Sequence, residues 1–313
     1  MTAKVTLKTA AKADSAAWLS GFIPDLPTPF NHRDELDTEA FGRLCERQIA
    51  AGATALVVGE TAGESSTLQP AERAQLVHIA ARVARKRVRI IAGAGSNATD
   101  RAVTFTRAAE AAGADTIMSV VPYYNKPMPQ GMAAHFRAVA AATTLPVILH
   151  DIPARTVKGL ADETLLELAH TPRIIGLRDG SSDVARLRRL RPRLPATFRM
   201  LTGDDTMSLA YMAAGGDGCI SSVSNVAPDL CVAVARHLRE GRLYQARELH
   251  QRLVPLATLL EREHPAALKF ALALLGFMQP ATRLPIVQLN GPAKAEIAQA
   301  MTEIADEYLA VAH

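Results

Sequence analysis

Short apolar runs recur along the chain, and each is followed by a stretch in which apolar residues return with helical spacing. The runs are 21–30 (GFIPDLPTPF), 53–60 (ATALVVGE), 88–95 (VRIIAGAG), 115–122 (DTIMSVVP), 146–152 (PVILHDI), 174–180 (IIGLRDG), 199–205 (RMLTGDD) and 217–223 (DGCISSV). Most begin at intervals close to the roughly 30 residues that a strand and its crossover helix occupy. Apolar residues follow one another within them without a regular polar alternate, which predicts strands of a parallel sheet covered on both faces. Ala51-Gly52-Ala53, Ala112-Gly113-Ala114 and Ala214-Gly215-Gly216 each close a helical stretch just ahead of a run. Glycine there supplies the left-handed cap that turns the chain back. Eight such repeats predict an α/β fold, the TIM (β/α)8 barrel with additional C-terminal helices.

Residues 228–311 read as those further helices, broken at Pro280 and Pro285. The predicted division is an N-terminal arm over 1–18, the barrel over 19–227 and a C-terminal helical region over 228–313 packed on it. An open doubly wound sheet is the competing architecture. It advertises a glycine-rich phosphate loop after the first strand, and here the first run ends Thr28-Pro29-Phe30-Asn31.

Composition narrows the function classes. The 313 residues suit a barrel with insertions. Aromatics are 4% of the chain, so aliphatic side chains must fill the core. A net charge of +4 does not call for nucleic acid or an anionic membrane as partner. The basic run Arg186, Arg188, Arg189, Arg191, Arg193 interleaves with Leu187, Leu190 and Leu194 and reads as a solvated helix face. It lacks the aromatic residues of a single-strand binding surface. Cys45, Cys219 and Cys231 are odd in number and widely spaced, which points to free thiols in a reducing, cytoplasmic setting. No apolar run reaches the length of a membrane span, and the first 18 residues lack the apolar stretch of a secretory signal. The histidines show no metal-ligand spacing, and Gly93, Gly95 and Gly113 form no dinucleotide fingerprint. No metal or cofactor is expected.

In a barrel, polar residues at the C-terminal ends of strands face the active site. Here they form a coherent set. The second run ends Gly59-Glu60-Thr61-Ala62-Gly63-Glu64-Ser65, and the fourth Pro122-Tyr123-Tyr124-Asn125-Lys126-Pro127. The fifth gives His150-Asp151-Ile152-Pro153-Ala154-Arg155-Thr156, the sixth Gly176-Leu177-Arg178-Asp179-Gly180, the seventh Thr202-Gly203-Asp204-Asp205 and the eighth Gly218-Cys219-Ile220-Ser221-Ser222.

These segments resemble the dihydrodipicolinate synthase / N-acetylneuraminate lyase family from about residue 20 to 290. The resemblance rests on GESSTL (63–68), AGAGSNAT (92–99), PYYNKP (122–127), IPART (152–156), LTGDD (201–205) and GGDGCIS (215–221), all in family order. It implies a carbon–carbon lyase or synthase acting on pyruvate or another 2-oxo acid, with an aldehyde as second substrate. The Arg155 context favours the dihydrodipicolinate synthase branch over sialic-acid lyases. The resemblance also implies a homo-oligomer, dimer or tetramer, because a tyrosine at the Tyr124 position completes a proton relay in a neighbouring subunit. Thr61 takes the position of the relay threonine, and Arg155 that of the arginine binding the second substrate's carboxylate. Ala62, Gly203 and Ile220 fall at substrate-binding positions, Ala62 where a second threonine is usual.

Two positions depart from the family. Arg178 stands where a lysine forms a Schiff base with the 2-oxo acid, and His150 stands where a tyrosine shuttles protons. Imine formation needs a neutral amine, whereas a guanidinium stays protonated and has no amine to offer. His150 retains acid–base capacity near neutrality. Arg178 is a fixed cation that can hold a carboxylate or stabilise an enolate without a covalent bond. On this reading Arg178→Lys should create a borohydride-trappable site. The bland alternatives are a core histidine at 150, an ion pair of Arg178 with Asp179 or Glu64, and plain interface packing of Tyr124. At the level of function the alternative is a catalytically silent or non-covalent barrel that binds a carboxylate metabolite.

Overall fold

The computed structural model describes residues 16–311, with side chains described through residue 304. Residues 1–15 of the expected arm lie outside the described residues. Eight strands occupy the eight predicted runs: β1 Gly21–Pro24, β2 Ala55–Val58, β3 Arg89–Gly93, β4 Thr116–Val120, β5 Val147–Asp151, β6 Ile174–Asp179, β7 Arg199–Thr202 and β8 Gly218–Ser221. All pair in parallel in the order β1-β8-β7-β6-β5-β4-β3-β2. The ring closes between β1 and β2 through the parallel bridge Asp25↔Val57, where the Leu26 N–H donates to the Val57 carbonyl at 2.9 Å. The fold is therefore the TIM barrel. Every strand ends before its apolar run does, because the last residues of each run leave the ladder as the loops at the C-terminal mouth.

The unalternating strands serve two cores. Ile23, Ala55, Val57, Ile91, Met118, Ile148, Leu201 and Ile220 point inward and fill the barrel. Leu56, Val58, Ile90, Ile117, Val147, Leu149 and Leu177 point outward and meet the surrounding helices. Side chains along a strand alternate faces, so this phase fixes which strand-end residues face the interior. Asp25 lies two residues beyond Ile23, His150 two beyond Ile148, and Gly203 two beyond Leu201. Arg178 follows outward-facing Leu177.

After β8 come the helices Pro228–Arg239, Leu243–Arg262, Ala266–Leu274 and Gly291–Val311. Pro280 and Pro285 lie in the connection between the last two. These helices share a third apolar cluster, including Leu230, Val234, Leu253, Leu256, Leu260, Leu272 and Ile297, with Phe22 and Cys219 from the outer faces of β1 and β8. No described helix is long and apolar enough to cross a membrane.

The basic run needs a correction. It lies on helix Val184–Leu190 and the 3-10 turn Arg191–Arg193, but Arg186 is buried. Its guanidinium bonds Asp151 at 2.8 Å, Asp162 at 3.0 Å and Asp179 at 3.2 Å, which ties β5 and β6 to the helical layer. Arg189, Arg191 and Arg193 pair with Asp162, Asp217 and Glu163. A charge at helical spacing does not by itself reveal whether acidic partners lie across the layer.

Candidate active site

His150 and Arg178 are register partners on β5 and β6, side by side at the mouth. Both are buried, at 0% and 4% exposure. The Arg178 Nη1 donates to Asp25 Oδ2 at 2.9 Å and lies 3.5 Å from Glu60 Oε2. Glu60 Oε1 is 3.1 Å from His150 Nδ1. The other oxygen, Oε2, accepts from both the backbone N–H and the hydroxyl of Thr61, each at 2.5 Å. Asp25 and Glu60 are themselves buried, at 0% and 5%. Four ionisable side chains, two on β5 and β6 and two just beyond β1 and β2, thus form one connected cluster inside the barrel.

The local backbone explains how they meet. Asp25 sits on the bridge that closes the ring. Gly59 has φ +65°, and this left-handed turn directly after β2 sets the direction of Glu60. Just beyond β7, a side chain added at Gly203 would place its Cβ 3.1 Å from Arg178 Nε. Glycine there leaves room for the arginine stem.

Burial pushes Asp25 upward against the pull of Arg178. Burial also opposes the charge on Glu60, yet His150, Arg178 and the Thr61 hydroxyl together hold it well below the carboxylate range. Burial likewise opposes charge on Arg178, and Asp25 and Glu60 outweigh it. Two carboxylates so face one guanidinium and one imidazole. Two acids whose environments push them apart are the arrangement that acid–base chemistry uses. His150 Nε2, Arg178 Nε and Asp25 Oδ1 are buried without a protein partner. Buried polar atoms are seldom left unpaired, so these three are candidate contacts for a polar ligand.

Neither ion-pair partner expected for Arg178, Asp179 or Glu64, is its partner in the structure. Asp179 pairs instead with Arg186, and Glu64 with buried Lys269. Burial lowers Lys269 to about 8 against the pull of Glu64, and its Nζ donates to the Ala281 carbonyl. No described lysine is bonded to the cluster.

The remaining candidates divide. Thr61 belongs to the cluster through Glu60. Ile220 is in the inner apolar layer that fills the barrel. Ala62 is fully buried but packs in the apolar cluster shared with the C-terminal helices. Arg155 is exposed on the short helix Pro153–Thr156, within electrostatic reach of Glu261 and His264. Tyr124 stands out from the surface at 88% exposure with φ +71°.

Sequence reasoning did not single out Asp25, Glu60 or His264 as site residues, although Glu60 stands in the strand-end segment that begins at Gly59. The first two had a legible signal: each is a charged residue just beyond a short apolar strand, and Asp25 keeps the inward phase of Ile23. His264 had none. It arrives from the C-terminal helices, its Nε2 is 3.2 Å from the Ser222 hydroxyl, and burial with nearby Arg155 and Arg178 lowers it to about 3.

Comparison with known proteins gives this site its setting. The model of the dihydrodipicolinate synthetase family matches residues 18–304. A 4-hydroxy-tetrahydrodipicolinate synthase of Hyphomonas neptunium is 43% identical over 284 residues, covering 90% of this chain and 97% of that protein. The structure of the 4-hydroxy-tetrahydrodipicolinate synthase of Methylacidiphilum fumariolicum superposes with a TM-score of 0.91 at 35% identity, covering 94% of this chain and 98% of that one. The chloride-inhibited dihydrodipicolinate synthase of Acinetobacter baumannii, solved with pyruvate, gives 0.89 at 34% identity, covering 91% and 99%. The chain belongs to the dihydrodipicolinate synthetase family.

Proposed function

We propose that the protein performs carbon–carbon bond chemistry of the 4-hydroxy-tetrahydrodipicolinate synthase type on pyruvate or another 2-oxo acid, and does so without an imine. The observation that carries this reading is the cluster itself: an imidazole and a guanidinium adjacent in register at the barrel mouth, on a scaffold whose relative was solved with pyruvate. Arg178 supplies the positive charge beside which the ketone oxygen becomes negative. His150 Nε2 takes the proton from the carbon next to the ketone. The C–H pair becomes the enolate double bond as the ketone π pair moves onto its oxygen. The ketone then re-forms while that carbon attacks the aldehyde carbon of the second substrate, and the aldehyde π pair passes to its own oxygen, which takes the proton back from His150 Nε2. Arg155 binds the carboxylate of that second substrate, while Gly203 and Ile220 shape the floor. We assign the enzyme to the cytoplasm. Tyr124, exposed in the single chain, packs into a neighbouring copy in a dimer or tetramer.

Exchange at the methyl group of pyruvate in deuterium oxide, followed by proton NMR, tests this directly. The enzyme should catalyse exchange, and His150→Gln should abolish most of it. Pyruvate that binds without exchange would leave only a silent carboxylate-binding barrel.

A further inference from the structure

We infer that Glu60 is the positioning residue that makes His150 a base, by fixing which ring nitrogen carries the proton. This rests on the proposed proton abstraction and names the group on which it depends. Glu60 uses its two oxygens differently. Oε2 accepts from the Thr61 backbone N–H and hydroxyl and faces Arg178 Nη1, so it is surrounded by donors. Oε1 faces His150 Nδ1 at 3.1 Å. A carboxylate has no hydrogen to give, so a neutral His150 must place its proton on Nδ1 and donate it to Oε1. The lone pair is then on Nε2, the nitrogen that is buried and free of any protein partner. The carboxylate also faces the positive charge that arises when Nε2 accepts a proton, which is the role of the buried acid in a serine-protease triad.

The same geometry dictates what Glu60→Gln does. The backbone N–H of Thr61 is an obligatory donor, so the amide oxygen of the substituted side chain must take the Oε2 place. Its NH2 then occupies the Oε1 place and points at Nδ1. Nδ1 is forced to accept, the ring proton moves to Nε2, and the base is lost although volume and shape are kept.

Two measurements test this. Selective 15N labelling of histidine, read at about pH 8 where a free imidazole is neutral, should show His150 protonated on Nδ1 with a bare Nε2. A proton on Nε2 overturns the inference, and this readout needs no variant to fold. Glu60→Gln should reverse the tautomer and cut pyruvate methyl exchange by about 10²–10⁴-fold, with pyruvate Kd changed by less than roughly threefold. A variant that keeps its Nδ1 proton, or that loses binding and exchange together, contradicts the assignment. If the unaltered enzyme shows no exchange, the proposed reaction falls, while the tautomer result still decides the role of Glu60.

Discussion

At the scale of single residues, the two buried carboxylates change what Arg178 means. From the sequence, lysine at 178 looks like a simple restoration, since burial lowers an amine's pKa and frees it for attack. The structure adds Asp25 at 2.9 Å and Glu60 at 3.5 Å from the guanidinium. Opposite charges that close stabilise an ammonium and hold its pKa up. Arg178→Lys alone should therefore trap little pyruvate under borohydride. Arg178→Lys combined with Asp25→Ala and Glu60→Gln should trap more, as intact mass would show. Efficient trapping by the single variant would mean that the carboxylates do not control this position. Removing one partner of such a buried pair also costs about 3–5 kcal/mol, so Asp25→Ala alone should lower the unfolding midpoint in urea markedly. Strand-end motifs made His150 and Arg178 legible because they stood where particular residues were expected. Asp25 and Glu60 were passed over because neither falls within a family motif, although Glu60 lies in the second strand-end segment. Their meaning depends on which strands the closed ring brings together.

At the scale of elements, the barrel was legible because two cores require apolar residues on both faces of each strand, and that leaves unbroken apolar runs. Strand lengths were overread, since each run continues past the strand into residues that already belong to the mouth loops, Glu60 and Asp204-Asp205 among them. The C-terminal helices were legible as helices, but not as the source of His264, because helical spacing says nothing about which loop they cover. We propose that residues 228–313 act with the barrel as one cooperative unit rather than as a separate body. Leu256 is fully buried in their shared cluster, whereas Leu284 is 79% exposed. Leu256→Ala should cost about 2–5 kcal/mol in a single unfolding transition, and Leu284→Ala less than about 0.5 kcal/mol. A Leu256→Ala variant with two resolved transitions would show that the helices fold apart from the barrel.

At the scale of the whole molecule, buried histidines predict acid sensitivity. Burial lowers His135 to about 4 and His264 to about 3. Between those values and the ordinary value of about 6.5 the unfolded chain binds protons that the folded chain does not, so stability falls as pH drops through that window. His135 alone accounts for roughly 3 kcal/mol. Denaturation midpoints should decline from about pH 7 to about pH 4, with a shallower slope in His135→Gln. Assembly is a further property of the whole. Tyr123, Tyr124 and Met128 are exposed on the segment that follows β4, and sedimentation at micromolar concentration should find a dimer or larger, with Tyr124→Ala shifting it toward monomer. The proposed reaction proceeds without a covalent imine. Its most direct test is the intact mass of the unaltered enzyme after borohydride treatment with pyruvate, under conditions where methyl exchange is observed. The expected spectrum shows only the mass of the unmodified chain; a stable increase by one reduced pyruvate would contradict the account.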